Sequence, residues 1–360
     1  MLDNNTIQSV LSAYPNNHRS REIYPLTHTG LSGTMYWKVD ADAGTFCLRR
    51  WPCGIPSINQ LQYIQAVLWH AVYEGFDIVP LPCETSDHKG FVSAFGSLWE
   101  LLPWIAGSKD LPGSSKMHAS VRSYSKTEPD KVVSAMITLA QFHEITSTFP
   151  LPNEPLGISA AVQRALFRWK EWIGRKIELL FKEIASTEDC VKDSLETELL
   201  HESRKIAAHF ATLGGSGMMM FSRGSRLKVP IQPSIGNANR RHFLFDSNGV
   251  CGMIDFKEMG ADSVAYDIAT LLGSMVGNDP KLWCYGIKAY QSVRPLSCEE
   301  QYLAGVLDFA EMILSNLRWL DSYFLKKITF QPKQMSAILE NLRWQNQRLD
   351  DYRSGTKRPG

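Results

Sequence analysis

Residues Ile235–Phe256 read IGNANRRHFLFDSNGVCGMIDF, and the second half of this stretch predicts a β-hairpin. Two apolar runs, His242–Phe245 and Val250–Ile254, flank a turn that spans Asp246–Gly249. The Asn-Gly pair in this turn contains the residues that most easily adopt the positive φ of a tight hairpin. Asp255 follows the second run, so we expect a carboxylate at the end of the second strand.

The composition is that of a globular protein large enough for two lobes. The chain has 360 residues, of which 44% are hydrophobic and 21% are charged. The net charge of +1 gives no reason to expect nucleic acid or a membrane surface as a partner. The seven cysteines are odd in number and form no CxxC pair, which argues against a disulfide framework and a structural zinc site. We expect no secretory signal, no membrane span and a cytoplasmic location.

The first third of the chain has the pattern of a small β-rich lobe with one helix. Tyr24–Trp51 alternates like a set of strands, Ile58–Glu74 has an apolar helical face, and Val92–Leu102 returns to strand character. A short amphipathic helix, Ile7–Tyr14, is expected to pack on this lobe.

From Pro129 onward the pattern is mainly helical, and the run Gly214–Gly217 is predicted to end one helix. The chain therefore predicts an α+β protein with an N-terminal lobe of β-sheet and one helix at 1–105, a mainly helical lobe at 106–350 that carries the hairpin, and a polar tail at 351–360. The helical candidates are Phe167–Ile184, Leu195–Leu213, Val264–Met275, Pro280–Ser292, Glu299–Leu325 and Pro332–Arg348.

The hairpin region resembles the active site of the aminoglycoside phosphotransferase and choline kinase family, which typically shows HGDxxxxN, a hairpin and then IDF or IDW. Without gaps, Ile235-Gly236-Asn237 falls on HGD, His242 falls on the Asn, and Ile254-Asp255-Phe256 falls on IDF. Downstream, Ala265–Ala269 resembles the AYDLA start of a family helix. The resemblance extends over about Tyr24–Leu325 and implies a bilobal protein-kinase-like fold.

This resemblance implies ATP- and Mg²⁺-dependent phosphorylation of a small-molecule hydroxyl, with altered reactive groups. Asn237 replaces the catalytic Asp, and an amide can accept a hydrogen bond but cannot act as a general base. Asp255 keeps the place of a metal ligand, whereas His242 replaces the second one, although Mg²⁺ prefers oxygen donors. We therefore expect a catalytically impaired family member, a pseudokinase. The alternatives are an active phosphotransferase with a displaced base, such as Glu258 or Asp262, and a non-enzymatic helical scaffold.

The resemblance also implies that the lobe at 1–105 is the N-terminal nucleotide-binding lobe. The glycine-containing loop between the first two strands would cover the phosphates, although a plain hairpin turn also explains its glycines. Arg49 falls on the phosphate-binding Lys, with Arg50 as the alternative if the register slips by one residue. A hinge after the apolar strand would hold adenine, although a packed core explains its tryptophans equally well. The predicted cofactor-binding residues are Gly30, Ser32, Gly33, Thr34, Arg49, Glu100 and Leu102.

Working kinases pair the phosphate-binding cation with a carboxylate on the following helix. Here that helix offers Gln65, or failing that Gln62, so we expect this ion pair to be absent. Arg49 and Asp255 are expected to face one cleft between the lobes. Asp267 and His143 are predicted to be structural, and the sequence leaves the acceptor molecule and the oligomeric state open.

Overall fold

The computed structural model describes residues 4–26, 33–107, 129–152, 154–188 and 194–354. The chain divides into two compact units, which are residues 1–109 with 242–257, and residues 110–241 with 258–360. The sequence placed the hairpin in the C-terminal lobe, whereas residues 242–257 group with the first unit.

The first unit contains a five-stranded antiparallel sheet in the order β1-β2-β3-β5-β4. Alternate residues of β2 and β3, including Trp37, Val39, Phe46 and Leu48, point into one apolar core. The first strand begins earlier than the sequence pattern indicated, at Ser20. The strands are β1 Ser20–Leu26, β2 Met35–Ala41, β3 Gly44–Arg50, β4 Val92–Ala94 and β5 Ser97–Pro103.

Two helices accompany this sheet. Helix α1 (Asn4–Leu11) buries its apolar face in the same core as the sheet, as the sequence predicted. Helix α2 (Ile58–Tyr73) begins after Ser57, whose Oγ accepts a hydrogen bond from the Gln60 amide at 3.2 Å. This cap satisfies one of the backbone donors that every helix start leaves unpaired.

The predicted hairpin is present as β9 (Phe243–Asp246) and β10 (Gly249–Met253). Asp246 pairs with Gly249, and Gly249 takes the positive φ of 119° that the turn needs. Backbone hydrogen bonds attach the hairpin to its unit, since the Met253 amide donates to the Ile78 carbonyl at 2.8 Å.

The second unit is mainly helical, and its helix starts carry clear sequence signals. Asp279 caps α8 in front of Pro280, and Ser297 and Glu300 form a reciprocal capping box at the start of α9. Two short strand pairs, β6 with β7 and β8 with β11, complete the unit. Its helices are α3 Pro129–Thr146, α4 Ala160–Glu171, α5 Ile177–Glu188, α6 Ser194–Gly224, α7 Ala265–Val276, α8 Pro280–Gln291, α9 Cys298–Leu320 and α10 Pro332–Arg353. Its strands are β6 Leu156–Ile158, β7 Lys228–Pro230, β8 Gln232–Ser234 and β11 Gly260–Asp262.

The prediction that Gly214–Gly217 ends a helix is wrong, because α6 continues through these glycines to Gly224. The indole ring of Trp169 lies so close to Gly217 that a Cβ there would overlap it. The same indole donates a hydrogen bond to the Gly214 carbonyl at 2.9 Å. At Gly217, glycine therefore serves close helix packing and not termination.

Further helix bounds also differ from those that the sequence predicted. The predicted helix Phe167–Ile184 is interrupted by a wider turn at Trp172–Lys176, where Gly174 leaves helical geometry. Helix α10 continues to Arg353, past the start of the predicted tail. Among the described helices, none combines the length and the apolar character needed to cross a membrane. The cytoplasmic location stays a prediction.

Candidate functional site

A buried ion pair lies at the end of β3. The antiparallel register of β3 and β5 places Arg49 beside Glu100. Nε and Nη2 of Arg49 both donate to Oε2 of Glu100, at 3.1 and 2.6 Å. The Trp51 indole donates to the same oxygen at 2.6 Å, and the Gln65 amide donates to Oε1 at 2.8 Å. Both oxygens of Glu100 are therefore hydrogen-bonded.

Burial makes this pair electrostatically strong. Arg49 is 8% exposed and Glu100 is 1% exposed. Burial is the largest single influence on the pKa of Arg49 and would lower it, but the charge and hydrogen bonds of Glu100, together with the nearby Tyr36 and Asp255, raise the pKa above its usual value. The guanidinium also lies 4.1 Å from the centre of the Trp51 ring. Arg49 is therefore held as a permanent cation.

The expectation that this ion pair is absent is wrong. Helix α2 indeed lacks the carboxylate, but the neighbouring strand β5 supplies one. Gln65 contacts that carboxylate, whereas Gln62 is exposed. Arg50 instead donates to Ser97 Oγ at 3.1 Å. The side chain of Glu100 is thus the partner of Arg49, and a backbone hinge at Glu100 and Leu102 stays a prediction.

Tyr36, in the first unit, is influenced by the charges of both Arg49 and Asp255. Burial raises the pKa of Tyr36 to about 12; the charge of Arg49 opposes this rise and the charge of Asp255 adds to it. Asp255 likewise contributes to the raised pKa of Arg49. Arg49 and Asp255 therefore act electrostatically on each other and on the same phenol.

The loop before β2 is only partly described. Thr34 is buried and its hydroxyl hydrogen-bonds to Tyr36, while Gly33 has a φ of 72°. The predicted phosphate-loop residues Gly30 and Ser32 lie outside the described residues.

Asp255 adopts a conformation that few non-glycine residues take, with a φ of 66°. Its Oδ2 lies 3.4 Å from His242 Nε2 and 3.5 Å from Lys257 Nζ. Its Oδ1 is buried and has no hydrogen-bond partner among the described groups. Lys257 was not among the predicted site residues, although its place directly after the IDF motif was the available signal.

Asp255 suits a magnesium ion as a ligand, but its neighbours His242 and Lys257 do not. Within the described ranges, no group of three or more His, Cys, Asp or Glu side chains comes together as a metal site. The imidazole of His242 and the ammonium of Lys257 are poor neighbours for Mg²⁺. The unpartnered Oδ1 of Asp255 is a suitable hard donor. The chain therefore suits an ion that brings phosphate oxygens and waters with it, and not a preformed protein site.

Asn237, the predicted catalytic residue, belongs to the second unit. It follows β8, where the Ser234 hydroxyl and the Ile235 amide donate to Asp267 Oδ2 at 2.7 and 2.6 Å. Gly236 has a φ of 80°, and a Cβ there would overlap the Glu258 carbonyl. The loop that carries Asn237 is therefore fixed on both sides.

Asp267 and His143, both predicted to be structural, lie in one buried hydrogen-bond network of the second unit. Both side chains are fully buried, and His143 contacts Asp267 Oδ2 through Nε2 at 3.1 Å and the Tyr290 hydroxyl through Nδ1 at 2.7 Å. Because a carboxylate can only accept, Nε2 carries the proton. Burial lowers the pKa of His143, so the ring stays neutral.

Of the two acids considered as a displaced base, Asp262 is excluded by its contacts. It accepts hydrogen bonds from the Ala160 and Ala161 amides at 3.0 and 2.7 Å and so caps α4. Glu258 is exposed beside Gly236. It belongs to an acidic group with Glu311, whose pKa is raised by burial and further by the charge of Glu258.

Comparison with known proteins gives a fold but no family. No family model matches the chain, and no curated protein matches it. An aminoglycoside phosphotransferase from Alicyclobacillus acidocaldarius superposes with a TM-score of 0.60 at 18% identity, over 97% of this chain and 96% of that one. A microcompartment-associated aminopropanol kinase gives 0.58 at 15% identity, over 99% of both chains. Spectinomycin phosphotransferase, solved with ADP and spectinomycin, gives 0.53 at 12% identity, over 89% of this chain and 93% of that one.

The chain therefore has the kinase-like fold of aminoglycoside phosphotransferases and of a small-molecule kinase. This confirms the α+β fold class that the hairpin motif indicated. A helical scaffold of unrelated fold is excluded.

Proposed function

We propose that the protein binds ATP through the first unit and transfers its γ-phosphate to a small-molecule hydroxyl only slowly. The observation that carries this proposal is the buried Arg49–Glu100 pair in the unit that also holds Asp255. A kinase-like fold uses such a cation on the phosphates and such a carboxylate on the metal. The structural neighbour solved with ADP supports the nucleotide.

Each residue has a defined part in this proposal. Arg49 would bind the phosphates, and Oδ1 of Asp255 would be the protein ligand of a Mg²⁺ that arrives with the nucleotide. When bound, Mg²⁺ neutralises phosphate charge. Asn237 would accept a hydrogen bond from the acceptor hydroxyl but could not take its proton. The protein would therefore bind the nucleotide, but phosphate transfer would be slow because Asn237 cannot act as the base.

The test is a calorimetric titration with ADP and with ATP, in Mg²⁺ and in EDTA. We expect binding that tightens with Mg²⁺, and we expect Asp255→Ala to remove the part of the affinity that depends on Mg²⁺. Asp42→Ala is the matched control, because Asp42 pairs with Arg21 on the surface of the same unit. A wild type that binds neither nucleotide would overturn the proposal. Unchanged Mg²⁺ dependence in Asp255→Ala would place the metal ligand elsewhere.

A further inference from the structure

The carboxylate that pairs with Arg49 comes from strand β5, whereas working kinases take this carboxylate from the following helix. We propose that Glu100, on strand β5, is the positioning residue for Arg49 in nucleotide binding, in place of a helix carboxylate. The inference rests on the proposed nucleotide site. It assigns to Glu100 a role that neither the hairpin motif nor the fold supplies.

The guanidinium geometry explains how one side chain can serve two anions. Glu100 takes the edge of Arg49 formed by Nε and Nη2, at 3.1 and 2.6 Å. A guanidinium has five N–H donors in a rigid plane, so Nη1 and the second hydrogen of Nη2 point along other directions. A phosphate could bind these donors while Glu100 keeps its own. A lysine ammonium offers no comparable fixed second edge.

Glu100 is itself held in place, as a positioning residue requires. Trp51 and Gln65 donate to its two oxygens, at 2.6 and 2.8 Å, so the carboxylate plane is fixed. Gln65 also donates to the Gly90 carbonyl at 3.1 Å, and a Cβ at Gly90 would stand 2.5 Å from its Oε1. The Trp51 ring covers the guanidinium face. Edge and face of Arg49 are therefore both constrained before any ligand binds.

A buried ion pair can also serve stability alone, and the second unit contains a pair for comparison. Arg348 Nη2 donates to both oxygens of Asp308 at 2.8 Å, with side chains 2% and 1% exposed. This pair joins α9 and α10 within the second unit, whereas Arg49 and Glu100 belong to the first. It therefore controls for the loss of stability that follows from breaking any buried ion pair.

The experiment measures ADP affinity by calorimetry and melting temperature for the wild type, Glu100→Gln and Asp308→Asn. We expect both variants to melt earlier. We expect Glu100→Gln alone to weaken ADP binding, by about tenfold or more, as loss of an orienting partner does at metal sites. Combining Glu100→Gln with Gln65→Glu returns one carboxylate to the cluster from the helix side. This double variant is expected to recover part of the affinity.

The outcomes separate this inference from the proposed function. A wild type that does not bind ADP contradicts the proposed function and the inference together. If the wild type binds and folded Glu100→Gln binds equally well, Glu100 is structural and the inference is wrong. The inference is also wrong if Asp308→Asn weakens ADP binding as much. Should Glu100→Gln fail to fold, Glu100→Asp replaces it: the charge remains but withdraws from Arg49, and unchanged affinity would again overturn the inference.

Discussion

In the proposed function, Asn237 occupies the position of the catalytic base and offers an amide there in place of a carboxylate. Because losing a positioned acid or base costs about 10²–10⁴-fold in rate, we expect very slow ATP turnover by the wild type. Asn237→Asp should raise it. Adding His242→Asn should raise it further, because the base and the metal act on the same transition state. The measurement is phosphate release and transfer over hours, with all variants at equal folded concentration.

An ordinary enzymatic rate in the wild type would contradict this prediction. It would favour the alternative of an active phosphotransferase with a displaced base. Glu258, exposed beside Gly236, would then be the residue to change, since Asp262 is occupied as a helix cap.

The lowered pKa of His143 should make the free energy of unfolding depend on pH. Its pKa is lowered in the folded protein from the ordinary 6.5, mainly by burial, so the unfolded chain takes up a proton first as the pH falls. Stability is therefore complete above pH 6.5 and decreases below it, towards the folded pKa. Urea unfolding between about pH 7.5 and 5.5 should show this loss, above the range in which ordinary carboxylates titrate.

His143→Gln is the matching variant for this test. It should be less stable at neutral pH, because the contacts with Tyr290 and Asp267 are lost, but its stability should change less across the same window. His209, whose pKa burial also lowers, remains in both proteins. Parallel pH profiles for the two proteins would show that His143 does not contribute.

The sequence motif led to the residues that we propose to be reactive, but their hydrogen-bond partners could not be predicted from it. The spacing of the motif identified Asn237, His242 and Asp255. The position of Arg49 on the third strand identified it as the predicted phosphate-binding residue. Glu100 lies 51 positions from Arg49, and only the register of β3 and β5 brings the two together. The sequence pattern of helix α2 could not reveal Glu100 as the partner of Arg49, because that pattern carries no information about the neighbouring strand β5.

Among the helices, α6 shows where local signals mislead. Its glycines satisfy the local rule for a helix end, but Trp169 of α4, 45 positions before Gly214, packs against them and the helix continues. The starts of α2 and α9 were close to their predicted positions, because the caps Ser57 and Ser297 lie beside the helix ends that they stabilise. Helix ends that depend on neighbouring residues could thus be predicted from the sequence, whereas the packing of residues distant in sequence could not.

Two glycines of α6 should respond oppositely to alanine. Alanine favours a helix interior over glycine by about 1 kcal/mol. At Gly215 nothing lies within 4 Å of the added Cβ, so Gly215→Ala should stabilise the protein by up to that amount. At Gly217 the Cβ would overlap Trp169, and overpacking of about 1–3 kcal/mol should outweigh the gain. Denaturant unfolding of both variants checks this, and a stabilising Gly217→Ala would refute the close contact.

At the level of the complete chain, the change from strand to helix pattern predicted a boundary near residue 105. It could not show that residues 242–257 group with the first unit, because tertiary contacts decide that. Cys251 Sγ contacts the Ala106 carbonyl at 3.5 Å, and a Cβ at Gly252 would stand 2.6 Å from Ile105 Cγ2. The hairpin is therefore an integral part of the first unit.

A fragment of residues 1–109 is accordingly expected to be incomplete. It lacks the strands that contact Ile78, Ile105 and Ala106, so it should unfold with little cooperativity and exchange its amides quickly. Joining residues 242–257 to it through a flexible linker should restore a cooperative transition. Circular dichroism and hydrogen exchange of both fragments measure this. Equal cooperativity without the hairpin would show that the sheet and its helices suffice.

The bond from the Met253 amide to the Ile78 carbonyl spans 175 positions (253 minus 78), and this has a consequence for biosynthesis. Contacts so distant in sequence form late, and a chain on the ribosome emerges from its N-terminus. The first unit therefore cannot complete its fold until more than a hundred residues of the second unit have been translated. A nascent chain halted within that interval would expose the groups that the hairpin later covers, the kind of surface on which chaperones act.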